Sequence, residues 1–141
     1  MPPVFVDANI PMYAAGSNHP LVEPARRVVD PVANGAIDAV TDAEVLQELL
    51  YRYWHIGRRT AGLQIFDAFT RLMAGRVLPV DEMDVRHARD LADRYSRLSP
   101  RDLIHLAIML RHGIEEIASA DAHFDSVPEV RRLDPRAFRR P

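Results

Sequence analysis

Two short apolar runs in this chain stop at a carboxylate. Val4-Phe5-Val6 ends at Asp7, and Ile117-Ala118-Ser119-Ala120 ends at Asp121. Such runs read as buried strands. Between them, helical stretches alternate with further short runs. Strands alternating with helices imply an α/β fold, with a parallel sheet covered by helices on both faces. The expected architecture is a three-layer α/β/α sandwich around a mostly parallel sheet of four to five strands. A chain of 141 residues is read as one domain over 1–141, long enough for a real core.

The expected order is as follows. Strand one is Val4–Val6, and a short helical stretch follows Asn9. An amphipathic helix spans Leu21–Ala33, with Pro24 in its first turn and Asn34-Gly35 as its stop. Strand two is Ala36–Val40. Thr41 reads as an N-cap with Glu44 as its capping-box partner, opening a helix to His55 that Gly57 ends. A helix follows over Thr60–Ala74, closed by Gly75, and then strand three, Val77–Val80. The next helix, Glu82–Leu98, is expected to bury Val85, Ala88, Ala92 and Tyr95. Ser99-Pro100 opens a helix to His112-Gly113 whose apolar positions nearly encircle it. Strand four is Ile117–Ala120, with a short fifth strand at Val130–Leu133.

That order makes four acids converge. Strands one and four end at Asp7 and Asp121, on the carboxyl edge of the sheet. The helix after strand two starts at the same edge, with Glu48 within two turns of its start. The helix leading back into strand four must also begin there, which brings in Asp102. Ligands of open α/β sheets bind at this edge. Two carboxylates ~5 Å apart repel by about 3 kcal/mol at an effective dielectric near 20. Four together either raise their pKa values or recruit a cation. Oxygen-only ligands favour Mg²⁺ or Mn²⁺ over zinc, and such an ion suits phosphodiester hydrolysis by activated water.

Composition removes competitors. There is no cysteine, so disulfides and thiolate zinc sites are excluded. All 18 basic residues are arginine, so no mechanism can use a lysine. The formal charge of -2 carries no global nucleic-acid signature. No apolar stretch is long enough to span a membrane and no signal peptide opens the chain, so a soluble cytoplasmic protein is expected.

Each acid also has a plainer reading. Asp7 can cap the short helix after strand one, Glu48 can pair with Arg52 at i,i+4, Asp102 can form a capping box with Ser99, Asp121 can be a turn residue, and Asp125 can be an N-cap or turn acid. The histidines, among them His105, His112 and His123, form no metal pattern and read as satisfied or surface groups. Tyr51, Tyr53 and Trp54 read as core, with a partner surface beside Arg58-Arg59 as the alternative. Arg131, Arg132, Arg136, Arg139 and Arg140 read as a solvated run that can also hold a phosphate backbone.

In four ordered pieces the chain resembles the PIN-domain family, and within it the VapC-type toxins of bacterial toxin–antitoxin pairs. The pieces are Val4-Phe5-Val6-Asp7-Ala8-Asn9-Ile10, Val45-Leu46-Gln47-Glu48-Leu49, Ser99-Pro100-Arg101-Asp102-Leu103-Ile104-His105-Leu106-Ala107, and Ser119-Ala120-Asp121-Ala122-His123-Phe124-Asp125. The resemblance makes Asp7, Glu48, Asp102 and Asp121 the metal-site and catalytic acids. It gives Asn9 and Ser119 supporting polar roles and makes Asp125 a variable extra acid. Ala8 and Ser119 stand where threonine is frequent in the family. What the resemblance implies is a PIN-like fold, Mg²⁺- or Mn²⁺-dependent RNA cleavage, a homodimer, and a small cognate antitoxin as partner.

Rival readings fit less well. Receiver-type proteins rely on a lysine that is missing here. Haloacid-dehalogenase-type phosphatases need a second Asp where this chain has Asn9. A catalytically inactive PIN scaffold that binds RNA or protein is the remaining alternative, and the intact acid set argues against it.

Overall fold

The computed structural model describes residues 2–139. Five strands form one sheet in the order β3-β2-β1-β4-β5, and every neighbouring pair is parallel. In chain order the elements are β1 (Val4–Val6), α1 (Asn9–Ala14), α2 (Val22–Ala33), β2 (Ala39–Asp42), α3 (Ala43–His55), α4 (Arg59–Leu72), β3 (Val77–Leu78), α5 (Glu82–Leu91), α6 (Pro100–Arg111), β4 (Glu116–Ala118) and β5 (Arg131–Leu133). Short 3-10 turns cover Ala122–Ser126 and Pro135–Ala137. The chain steps from β1 to β2 to β3 on one side, then crosses back to place β4 on the other side of β1. Right-handed crossovers send the helices to both faces, giving the α/β/α sandwich. The direction of winding reverses between β1 and β4, the topological switch point where open α/β sheets bind ligands.

The centre of the sheet is the driest part of the molecule. Phe5, Ile10, Leu49, Met73, Leu106, Ile117 and Phe124 are all fully buried. Helix α6 is enclosed nearly all round, with Leu103, Leu106, Ala107, Ile108 and Met109 buried. Ser99 caps it by accepting from the Asp102 N–H, and Asp102 accepts from the Ser99 N–H in return, with Pro100 in the first turn. That is the capping box expected from the sequence.

Several boundaries differ from expectation, for local physical reasons. Strand β2 begins at Ala39, not Ala36, because the Ala36 and Ile37 N–H groups donate to the Pro31 carbonyl at the end of α2, with Gly35 at φ 80° turning the chain. Thr41 is not the cap of α3. It is a fully buried strand residue whose hydroxyl donates to the Val6 carbonyl at 2.9 Å. Asp42 is the cap instead, accepting from the Val45 N–H at 2.8 Å. Glu44 therefore has no capping box and pairs with Arg101 at 3.4 Å.

Strand β3 is only Val77–Leu78. Helix α5 ends at Leu91, and its inward stripe is Asp84, Ala88 and Leu91, continued by Tyr95 and Leu98. Val85 and Ala92 are exposed. The stripe begins on a polar residue, Asp84, which was hidden from a hydrophobic count. Asp84 is buried because Arg111 of α6 grips its carboxylate with two hydrogen bonds, at 2.7 and 2.9 Å.

Strand β4 stops at Ala118 instead of Ala120 because the next residues turn toward β1. The Ala120 N–H donates to the Asn9 side chain at 3.0 Å, and the Asp7 N–H donates to the Ala118 carbonyl at 3.1 Å. The sheet thus ends in a knot of polar contacts at the switch point.

Candidate active site

Asp7 lies at the centre of that knot. One carboxylate oxygen accepts from the Ala8 N–H at 2.8 Å. The other accepts from the Ser119 hydroxyl at 2.6 Å and from the Asn9 amide at 3.3 Å. Asn9 also donates to the Ser119 oxygen at 3.1 Å, and that oxygen accepts from the Asp121 N–H at 3.0 Å. Asp7 and Ser119 are both buried. Asn9 and Ser119 therefore hold the carboxylate from residues more than a hundred positions apart in sequence. Both supporting residues read from the sequence thus lie against Asp7, Ser119 through its hydroxyl.

Glu48 comes in from the second turn of α3. It does not pair with Arg52. Its neighbour is Arg101, at 3.9 Å, whose guanidinium also stacks over Tyr51 at 4.5 Å. Asp102 comes from the start of α6, and its capping role leaves it in the site as well. Burial, then the charge of Asp7, raises the pKa of both Glu48 and Asp102. The acids feel one another, as a convergent cluster must.

A fifth group, read from the sequence as a satisfied or surface histidine outside any metal pattern, lies beside these acids. His105, one turn after Asp102 on α6, is fully buried. Its Nδ1 lies 2.7 Å from Asp42, and its ring tilts against Phe5 at 5.3 Å. A ring nitrogen of His105 and carboxylate oxygens of Asp7 and Glu48 all lie within 4.8 Å of one another. Burial by itself would lower the His105 pKa, but the charge and hydrogen bond of Asp42, with Asp7 and Glu48 beyond, raise it to about 9. The available signal was spacing: a histidine at i+3 from a site acid shares its helix face.

Asp121 follows β4 and accepts from the His123 N–H at 2.9 Å. Asp102, Asp121 and His123 form a second group whose ligand atoms also lie within 4.8 Å. Asp125 points elsewhere. It takes a two-pronged contact from Arg132, at 2.9 and 3.0 Å, which holds its carboxyl below the usual range.

Arg132 is nearly buried and also donates to the Ser119 carbonyl at 3.1 Å, so it braces the site loop from behind. Arg131 pairs with Glu116 and Arg136 with Asp134. Arg139 donates to the Phe138 carbonyl at 2.8 Å, and Arg140 lies outside the described residues. Of the tail arginines read as a phosphate-binding run, Arg132 is thus an internal brace.

The donor set suits a hard divalent cation. Four acids on separate elements reach one sheet edge, two of them carry raised pKa values, and carboxylates at such distances repel by roughly 3 kcal/mol at an effective dielectric near 20. Beside them opens a cavity of about 540 Å³ bounded by Asn9, Tyr13, Arg52, Arg58 and Asp121. Two arginines, Arg52 and Arg58, line it together with one of the four acids, Asp121. A larger cavity, about 890 Å³, lies against β5 and is lined by none of the four site acids. The aromatic stretch splits in two. Tyr53 is core, while Tyr51 and Trp54 are about half exposed, with Arg59 over the Trp54 ring at 4.1 Å.

The sequence matches the PIN domain profile over residues 4–130. It is 45% identical over 130 residues to Ribonuclease VapC13 of Mycobacterium tuberculosis, covering 92% of this chain and 98% of that protein. Its fold resembles the crystal structure of the Mycobacterium tuberculosis toxin VapC20, described as cleaving the Sarcin-Ricin loop. The TM-score is 0.72, at 19% identity, over 89% of this chain and 95% of that one. It also resembles a chain of a toxin–antitoxin complex from Klebsiella pneumoniae, with a TM-score of 0.62 at 15% identity over 94% of this chain and 97% of that one. At these low identities the two structural likenesses concern the fold.

Proposed function

This chain belongs to the PIN-domain family, in its VapC branch, and from that premise we propose that it is an endoribonuclease acting as the toxin of a toxin–antitoxin pair. The observation that carries the proposal is the convergence of Asp7, Glu48 and Asp102 with Asp121 at the β1/β4 switch point, beside a cavity edged by Arg52 and Arg58. The similarity to Ribonuclease VapC13 supports the ribonuclease reading.

In this reading Asp7, Glu48, Asp102 and Asp121 hold Mg²⁺ or Mn²⁺. A divalent cation held there would supply Lewis-acid polarisation of a phosphodiester and a lowered pKa for water. The chain's own residues do the rest. Asn9 and Ser119 fix the rotamer of Asp7, so its free lone pairs keep one direction. Arg101 holds Glu48 toward the cluster. Arg52 and Arg58, which line the cavity with Asp121, supply phosphate contacts to the RNA backbone.

Water, and not the ribose 2′-hydroxyl, is the nucleophile. His105 is committed to Asp42 inside the core, and His123 pairs with Asp121. Neither is set to take a proton from a 2′-hydroxyl. In-line attack then leaves a 5′-phosphate and a 3′-hydroxyl.

The partners follow from the same reading. A small antitoxin is the partner and covers the acid groove, in keeping with membership of the VapC branch. The chain forms a homodimer, acts in the cytoplasm where RNA is the substrate, and folds as one domain over 1–141. Among the described residues no helix is long and apolar enough to cross a membrane. The half-exposed Tyr51 and Trp54 offer the contact surface, since interfaces favour aromatics and arginine.

The test is cleavage of total RNA by the purified protein, with end-group analysis of the products. Cleavage that requires Mg²⁺ or Mn²⁺, leaves 5′-phosphates and vanishes in Asp7→Asn supports the proposal. A 2′,3′-cyclic phosphate, or full cleavage in excess EDTA, overturns it.

A further inference from the structure

The acid set accounts for oxygen ligands only, and of the two buried side-chain nitrogens without a hydrogen-bond partner among the described residues, Arg76 Nη1 and His105 Nε2, the second belongs to a residue of the acid cluster. Nδ1 of His105 is taken by Asp42 at 2.7 Å. Nε2 is buried and has no hydrogen-bond partner. An unpaired polar atom inside a core is destabilising by about 1–3 kcal/mol, so a native structure keeps one only where something else satisfies it. What lies near is the acid cluster: a nitrogen of this ring is within 4.8 Å of oxygens of Asp7 and Glu48. With Nδ1 committed to Asp42, we assign Nε2 as the nitrogen that serves them.

We propose that His105 is a nitrogen ligand of the cation held by Asp7 and Glu48, oriented by Asp42, and that the site consequently prefers Mn²⁺ to Mg²⁺. The inference rests on the metal-dependent reading above and extends it from the acids to the ion. A metal-bound histidine characteristically donates its other ring N–H to a carboxylate, which fixes the tautomer and strengthens the ligand. Asp42 does this here. Its other oxygen accepts from the Val45 N–H at 2.8 Å, so the cap of α3 locks the carboxylate in place.

The ring cannot turn away, because α6 and Phe5 enclose it. Two carboxylates and an imidazole suit first-row transition ions, whose affinities for nitrogen-containing sites exceed that of Mg²⁺. Mg²⁺ takes oxygen ligands and keeps several waters. The same carboxylates that favour a protonated ring in the metal-free chain are neutralised by the ion, which removes that bias.

Pulsed electron paramagnetic resonance on the full-length protein with Mn²⁺ reads the ligand directly, with no assay of cleavage. The wild type should show ¹⁴N coupling from one directly bound imidazole. Calorimetry should give at least about tenfold tighter binding of Mn²⁺ than of Mg²⁺. His105→Gln should lose the coupling and weaken Mn²⁺ about tenfold or more, with Mg²⁺ affinity within about threefold of wild type.

Asp42→Asn guards against misfolding of that variant. An asparagine can still accept from the Val45 N–H, but its amide donates to Nδ1 and moves the ring proton to Nε2. It should therefore lose the coupling too, with the circular dichroism spectrum unchanged. Mn²⁺ bound without ¹⁴N coupling in the wild type overturns the inference and leaves the acid-site reading standing. So does equal loss of Mn²⁺ and Mg²⁺ in His105→Gln. No binding of either ion to the wild type overturns both.

Discussion

His105 and Asp42 are joined by a 2.7 Å contact between fully buried side chains that are 63 residues apart in the chain. One comes from α6 and the other from the end of β2, so the pair pins the two segments together directly beneath Asp7 and Glu48. Their charges, with the two acids beyond, hold the His105 pKa near 9, well above the 6.5 of a free imidazole.

The pair makes the metal-free protein sensitive to alkali. A folded-state pKa above the unfolded one means that the native state binds the proton more tightly. The resulting stability is fully present below about pH 6.5 and is lost as pH rises through about 9. Urea denaturation in EDTA should show stability falling between pH 6.5 and pH 9.5, by a few kcal/mol. Asp42→Asn should flatten that fall. A wild-type profile level across this window would rule the protonated pair out.

Glu48→Gln should stabilise the metal-free protein while removing metal binding. Burial and Asp7 both oppose the ionised form of Glu48, and its ion pair with Arg101 is long at 3.9 Å. A neutral amide of the same shape relieves both effects. A Tm higher by roughly 3–5 °C in EDTA is expected, the shift about 1 kcal/mol gives in a chain of this size. The Tm increase that millimolar Mn²⁺ produces in the wild type should shrink or vanish. A lower Tm in EDTA would show that Glu48 is held by attraction instead of repulsion.

Arg132 and Arg139 should separate by role. Arg132→Ala removes the two-pronged contact to Asp125 and leaves the Ser119 carbonyl without its donor. A loss of about 1–3 kcal/mol of stability is expected, read by denaturation. Arg139→Gln should leave stability within about 0.5 kcal/mol and flatten the salt dependence of RNA binding. If Arg132→Ala unfolds no more readily than the wild type, the brace is not supporting the site loop.

Gly62→Ala tests how closely α4 lies on α3. A Cβ at Gly62 would sit 2.3 Å from the Cβ of Tyr53 and 2.9 Å from its Cγ. Those atoms are near the backbone and cannot swing aside. Alanine would add up to about 1 kcal/mol of helix propensity. Overpacking of 1–3 kcal/mol should outweigh it and open the α3–α4 seam beside Tyr53, which borders the candidate RNA cavity. A net loss of about 1–2 kcal/mol in denaturation is the expected reading, and a stabilised variant would contradict the packing.

The acids were legible from the sequence because their placement follows from chain direction. A carboxylate directly after a short apolar strand, or at the first turn of a helix entering the sheet, must lie at the carboxyl edge whatever the details of packing. Ser99, Pro100 and Asp102 were legible for a similar reason, since a capping box is built from neighbours along the chain.

What the sequence could not show depended on partners far away in it. Thr41 and Asp42 were equally good caps by type, and the Val6 carbonyl decided between them by taking the Thr41 hydroxyl. Asp84 looked like surface until Arg111 arrived from another helix. His105 looked like one more residue of an apolar helix until Asp42 fixed one face of its ring and left the other unpaired. Periodicity and local capping are one-dimensional signals carried by the chain itself. The pairing of buried polar groups is set by which segments the sheet order brings together, so only the tertiary structure decides it.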